Sequence, residues 1–276
     1  MRNNKISLDI IVTTSYSPHA DSIQNLTNTI KSLSLIKDLK HKVLTWRVII
    51  AVDGLNPNYN SNFHRKQFDI FCKKLLKLND TNTQIALNFQ WGHLSGNLQN
   101  AFNLFVSNKY VLIVQDDLPF IADVPLEKII MQMEKYKNLK HIRFNRRTNL
   151  EAGLDTKLTP CQFDDIKFLK TDNWSDNNHL CEANYYRILI LPKTKGQSTF
   201  PENIMRTLNL QAPEIYGTYI YGDFNKSATI EHTGQIKSRV RAQMNKVGVS
   251  NDFVRLLITM LLHIHDFLKI FMGKFR

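Results

Sequence analysis

The residue types best suited to chemistry stand at the end of an apolar run. Residues 110–118, YVLIVQDDL, finish on Gln115 and two adjacent carboxylates, Asp116 and Asp117. Two acids side by side at the mouth of a buried strand repel one another unless positive charge lies between or beside them. A divalent cation supplies such charge: Mg2+ or Mn2+ prefers oxygen ligands, is held by one or two carboxylates, and completes its shell with substrate phosphates and water. A nucleoside diphosphate meets that description. The plainer alternative has Asp116 capping a turn and Asp117 facing water. Their place directly after the apolar run favours the cation.

Other positions carry a chemical and a structural reading side by side. Trp174, in TDNWSDNNHL, has a ring that can stack on a sugar face or anchor local packing. Gly96 and Asn97 either admit a donor sugar or phosphate closely or form a helix entry. Arg239, near Arg241, can hold a diphosphate or be an exposed arginine of a basic tail.

These residues need elements to position them. Residues 8–14 (LDIIVTT) and 46–54 (WRVIIAVDG) are continuous β-branched runs stopped by small polar or turn residues, as expected of strands buried on both faces. Between them, residues 21–39 carry apolar positions at roughly helical spacing. A helix is expected over 62–77, a short strand over 84–88, a helix over 97–107, and the strand ending in Asp116 and Asp117. A helix over 126–137, a strand over 141–147, a loop-rich stretch, a helix over 177–187 and two short strands within 217–234 complete the core. Alternation of strand and helix predicts an α/β fold with a doubly wound, mostly parallel sheet, whose ligands lie beyond the carboxyl ends of the strands. Residues 252–276 form a broad amphipathic helical face, interrupted by Arg255, His263, His265 and Asp266 too often for a membrane span. The two readings of that tail are an ordinary packed helix and a helix lying on an anionic membrane.

This order of features resembles that of GT-A-fold glycosyltransferases, closest to the broad family-2-like group, over about residues 7–234. The resemblance implies that Thr13, Thr14 and Ser15 border the nucleotide and that Asp53 faces the base. In place of the usual Asp-x-Asp the chain has Gln115-Asp116-Asp117, which makes Asp117 the metal ligand and leaves Asp116 to ribose or to metal-bound water. It further implies Asp176, in WSDNNHL, as general base, with Glu182 in reserve, and His232, in IEHTG, as a further metal ligand. Ser175 stands where an acidic neighbour of Asp176 is expected. The implied activity is metal-dependent transfer of a sugar from a nucleoside-diphosphate sugar to a hydroxyl of a glycan, glycoprotein or glycolipid, with Mn2+ or Mg2+ and, given a carboxylate base, inversion. The implied domains are 1–236, divided near residue 120 into nucleotide-binding and acceptor halves, and a basic helical tail over 237–276.

Composition bounds these expectations. A chain of 276 residues that is 43% hydrophobic suffices for one sizeable core. Cys72, Cys161 and Cys181 are spaced too widely for a zinc clip or redox dithiol. The N-terminal apolar run is too short for a signal peptide, so a cytoplasmic protein is expected, with peripheral membrane contact through the tail as a second reading. A net charge of +12 suits polyanionic partners, but the excess is scattered and no nucleic-acid-binding signature accompanies it, so nucleic acid is not an expected partner. A basic nucleic-acid- or membrane-binding protein on an inactive core remains one alternative, and a sugar nucleotidyltransferase another. The latter is expected to carry a glycine-rich loop after its first strand, whereas TTSYSPHAD has no glycine. A Walker-type phosphate loop is missing as well.

Overall fold

The computed structural model describes residues 6–18, 22–41, 43–79 and 81–233. The chain divides into two compact units, Met1–Glu231 and His232–Arg276, and the sheet with its cleft belongs to the first. Arg239 and the tail over 237–276 lie outside the described residues.

The first unit opens with β1 (Ser7–Thr14), α1 (Ser22–Ser32), α2 (Lys37–Lys40), β2 (Thr45–Val52), α3 (Asn62–Leu76), β3 (Thr83–Leu87), α4 (His93–Leu104) and β4 (Tyr110–Gln115). It continues with α5 (Leu126–Lys135), β5 (His141–Arg143), β6 (Leu158–Phe163), β7 (Ile166–Thr171) and β8 (His179–Glu182). A helical stretch follows, made of α6 (Ala183–Tyr185), a π-helical turn (Tyr186–Ile190) and α7 (Leu191–Thr194). After it come α8 (Pro201–Gln211), α9 (Pro213–Tyr216) and β9 (Thr218–Tyr221). One nine-stranded sheet runs in the order β3-β2-β1-β4-β8-β5-β9-β7-β6. Pairing is parallel from β3 through β4, and β8 then enters antiparallel between β4 and β5.

Strand alternation explains why helices cover both faces. In β1, Leu8, Ile10 and Val12 pack into one core with Leu26 of α1, Phe71 and Leu75 of α3, and Ile129, Ile130 and Met133 of α5. Ile11 points the other way, into a second core with Leu98, Ala101 and Phe102 of α4 and Met205 of α8. Successive side chains on a strand face opposite layers, so a run such as LDIIVTT fills both cores at once.

Four expectations need correction. Residues 177–187 do not form a helix: β8 takes His179–Glu182, with Leu180 in the first core and Cys181 in the second. An alternation of four residues is too short to stand out against the helical spacing that follows it. The stretch expected to be loop-rich contains the hairpin β6–β7. Of two short strands expected within 217–234, only β9 forms, with a single bridge from Ile230 to Phe120. The helix expected over 97–107 starts four residues earlier, at His93.

Candidate active site

A cleft of about 190 Å³ opens beyond the carboxyl ends of β1, β2 and β4. Its floor comes from strand ends: Thr13, Thr14 and Ser15 after β1, Asp53 after β2, and Gln115, Asp116 and Asp117 after β4. The parallel register that aligns Thr14 with Val52, and Thr13 with Gln115, brings these three segments level.

Asp116 is held from three sides. Its backbone N–H donates to Thr13 O at 3.0 Å, the Thr29 hydroxyl donates to its carbonyl at 2.6 Å, and Thr14 Oγ1 donates to its Oδ2 at 2.5 Å. The residue keeps an accessible edge on the cleft while protein atoms crowd its other sides. Burial, then the Asp117 charge, pushes its carboxyl up to about 8. Two adjacent carboxyls so placed repel one another, a repulsion that a divalent cation relieves. No three His, Cys, Asp or Glu side chains converge on a metal-sized site among the described residues. The fit is therefore to an ion that draws its remaining ligands from substrate and water, as Mg2+ and Mn2+ do.

Asp53 sits differently from a free base-reading group. Its Oδ1 accepts from Gly54 N and Gly92 N, each at 2.9 Å, and His93 N also donates to the carboxylate. Burial outweighs these bonds and lifts it to about 6. The two glycines allow this clasp. A Cβ on Gly54 would meet the Gln90 carbonyl carbon at 2.4 Å, and one on Gly92 would meet Gly96 Cα at 2.8 Å. Asp53 borders the cleft and also ties the loop after β3 to the end of β2.

That loop supplies a wall the sequence reading missed. His93 takes φ of 55°, a left-handed conformation rare outside glycine and often found at functional sites. Its Nδ1 accepts from Leu94 N at 2.9 Å, and its ring meets Phe200 edge-on at 4.1 Å and Trp91 at 5.4 Å. Trp91, His93 and Phe200 thus form one aromatic side of the cleft. The signal was present in QWGHLSG, where two aromatic rings flank a glycine, but Phe200 comes from a distant segment. Ser95 joins the two parts, donating to Thr199 O from its backbone N–H at 3.1 Å and from its hydroxyl at 2.7 Å. Asn97 lines the cleft with its Nδ2 bonded to Ala51 O at 2.8 Å, while Gly96 lies within α4 and faces Gly92.

The Asp176 segment reaches the same end of the sheet through Gln115 and Asn178. Gln115 Nε2 donates to Asp176 O at 2.8 Å, Asn178 Oδ1 accepts from Gln115 N at 3.0 Å, and Asn178 Nδ2 donates to Leu118 O at 2.6 Å. An amide at position 115 can donate to that carbonyl, which a carboxylate cannot. The departure from Asp-x-Asp thus has a structural reason. His179 is buried and neutral, lowered to about 4 mainly by desolvation, and spans Asn177 O and the Tyr186 hydroxyl at 2.7 Å each. Asp176 is itself buried, its carboxyl raised well above the usual range by burial and by Glu202 beside it.

Two of the expected roles fail on geometry. Trp174 is fully buried, with Nε1 donating to the Tyr185 hydroxyl at 2.9 Å and His141 stacked on its ring, so it has no face open to a sugar and anchors packing instead. Glu182 pairs with Tyr110 at the opposite end of β4 from Asp116, roughly 20 Å away at about 3.3 Å per residue. It lines a separate apolar cavity of about 250 Å³ and lies 3.7 Å from Lys109 Nζ, which removes it as a reserve base. Conversely, Arg146, which no motif marked, keeps exposed surface just beyond β5. Desolvation and Arg147 pull its guanidinium down, against the charges of Glu202 and Asp117. His232 begins the second compact unit.

No family model matches the chain, and no curated protein does. Solved structures do. The crystal structure of S. aureus TarS 1–349 superposes with a TM-score of 0.50 at 11% identity, over 83% of this chain and 60% of that one. GalNAc-T7, solved with UDP, GalNAc and Mn2+, gives 0.54 at 9% identity, over 79% and 43%. The chain therefore spans less than two thirds of the length of either structure. At such identities the likeness is one of fold, and the α/β fold is of the GT-A type.

Proposed function

We propose that the chain is a glycosyltransferase that uses a nucleoside-diphosphate sugar and a divalent cation to glycosylate a hydroxyl acceptor. The observation that carries this reading is the adjacent Asp116 and Asp117 carboxyls, whose mutual repulsion raises Asp116, at the mouth of a cleft beyond the parallel strand ends. The GT-A-type fold supports it, as does GalNAc-T7, a structure of that fold containing UDP, GalNAc and Mn2+.

In this reading Asp116 and Asp117 hold Mn2+ or Mg2+. An ion held there would supply positive charge against the charge that develops on the departing diphosphate. Arg146, beside Asp117, adds a fixed positive charge on the same side. Thr13, Thr14, Ser15 and Asn97 border the nucleotide, and the wall of Trp91, His93 and Phe200 offers rings for the base or sugar to lie against. Asp176 takes the acceptor hydroxyl proton as that oxygen attacks the anomeric carbon from the face opposite the diphosphate, which inverts the configuration.

The test is a thermal-shift panel of nucleoside diphosphates and their sugars, with and without Mn2+. A ligand at a hundred times its Kd stabilises by about 2.7 kcal/mol, which for a chain of this size raises Tm by about 5–10 °C. One nucleotide class giving that shift only with the cation is the expected result. The absence of a cation-dependent shift across the panel would remove the proposal.

A further inference from the structure

Ser175 occupies the place where a second acid beside Asp176 is expected, yet a carboxyl stands there. It arrives from another element. Glu202, on the first turn of α8, accepts from Ser175 Oγ at 2.8 Å through Oε2 and from the Arg206 guanidinium through Oε1. Arg206 is fixed in turn by Asn173 Oδ1, 3.1 Å from its Nε. Ser175 is the chain neighbour of Asp176, so its bond to Glu202 sets that carboxyl beside Asp176, and the Glu202 charge acts on it. Asp176 Oδ2 is buried and has no N–H or O–H donor. Two ionised carboxylates cannot hydrogen-bond each other. A single proton between them satisfies the orphaned oxygen and removes the repulsion.

We propose that Asp176 and Glu202 form a one-proton carboxyl pair, in which Glu202 is the positioning residue for Asp176 and the final holder of its proton. The second role rests on the glycosyltransferase reading. As the acceptor oxygen bonds to the anomeric carbon and the bond to the diphosphate breaks, the hydroxyl proton passes to the second oxygen of the Asp176 carboxyl. The proton already on Asp176 moves to Glu202 in the same step. The pair goes from singly to doubly protonated, one proton gained for one lost by the acceptor.

The surroundings favour the singly protonated state at rest. Burial and the Glu202 charge both raise Asp176, Arg206 stabilises a negative Glu202, and Arg146 faces Glu202 from the segment after β5. Tyr186, pushed upward by burial and further by the Asp176 charge, stays neutral. Ser175, with one hydroxyl to give, is suited to bind Glu202 where an acid at that position would repel it.

Infrared difference titration of the full chain tests the pair without reference to activity. The spectrum of the wild type minus Asp176→Asn is expected to contain a protonated-carboxyl C=O band at neutral pH, and in Glu202→Gln the titration midpoint of that band falls. Absence of the band, or a midpoint indifferent to Glu202→Gln, overturns the pair. In transfer assays Glu202→Gln is expected to lower kcat by about 10²-fold with donor KM unchanged. An unchanged kcat beside an intact infrared signature overturns the relay. If the wild type turns over no sugar donor, the glycosyltransferase reading fails, and the infrared result still decides whether the pair exists.

Discussion

Two pairs of carboxyl groups lie at the same end of the sheet, and the protein treats them in opposite ways. Asp116 and Asp117 follow a parallel strand and open onto a cleft, with one threonine hydroxyl as the donor to Asp116 Oδ2. Asp176 and Glu202 come from separate segments and are the more enclosed pair, Asp176 buried and Glu202 partly so, with Ser175 and Arg206 fixed around Glu202. In the proposed reading the open pair takes positive charge from a bound ion and the enclosed pair takes a proton. Burial raises a carboxyl in both places.

The largest expected effect separates the pairs. Asp117→Asn removes cation-dependent donor binding and lowers turnover by about 10²-fold or more, as titration calorimetry and initial rates would register. Asp176→Asn is expected to leave donor affinity intact and to cut transfer by about 10²–10⁴-fold. Equal losses of binding in both variants would erase the division of labour. Next, Arg146→Ala removes a cation whose charge acts on both Asp117 and Glu202; donor Kd is expected to rise by about tenfold, the scale of one charged hydrogen bond. Phe200→Ala opens the aromatic wall and weakens donor binding by roughly two- to tenfold, in line with about 0.5–1.5 kcal/mol for an aromatic contact.

The smallest effects concern groups outside both pairs. Folding raises Asp53 from an ordinary 3.8 to about 6, so the native state binds more protons than the unfolded chain across that window. Stability therefore falls as pH rises from about 4 to about 6 and stays lower above it. Asp53→Asn is expected to flatten that slope and to raise Tm at neutral pH by about 2–4 °C; a variant less stable at pH 7 would show the carboxylate clasp to be net favourable. Glu182→Gln, at the far end of β4, is expected to leave transfer unchanged.

The parallel half of the molecule was legible in its sequence because each strand there is long and buried on both faces. LDIIVTT, WRVIIAVDG and YVLIVQDDL announced themselves, and the residues at their ends, Thr13, Thr14, Ser15, Asp53, Asp116 and Asp117, do meet at one cleft. The second half was harder for a physical reason. β8 spans four residues and is recognised by which core each side chain enters, a property of the assembled sheet rather than of local periodicity. Trp174 looked like a sugar platform because its loop is polar, and only packing revealed that the ring is enclosed. Phe200 and Glu202 reach the site through contacts more than twenty residues distant in sequence, from Ser95 and Ser175, which no spacing rule could foretell. The sequence located the open pair because its members are neighbours along the chain, and it could not locate the enclosed pair because they are not.

Titration calorimetry of UDP into the full chain, with Mn2+ and with chelator, for the wild type and Asp117→Asn, tests most directly whether the open pair grips a cation for a nucleoside diphosphate. The account predicts saturable binding by the wild type only when Mn2+ is present, and none by Asp117→Asn under either condition. Binding of equal strength with chelator, or undiminished binding by Asp117→Asn, would contradict it.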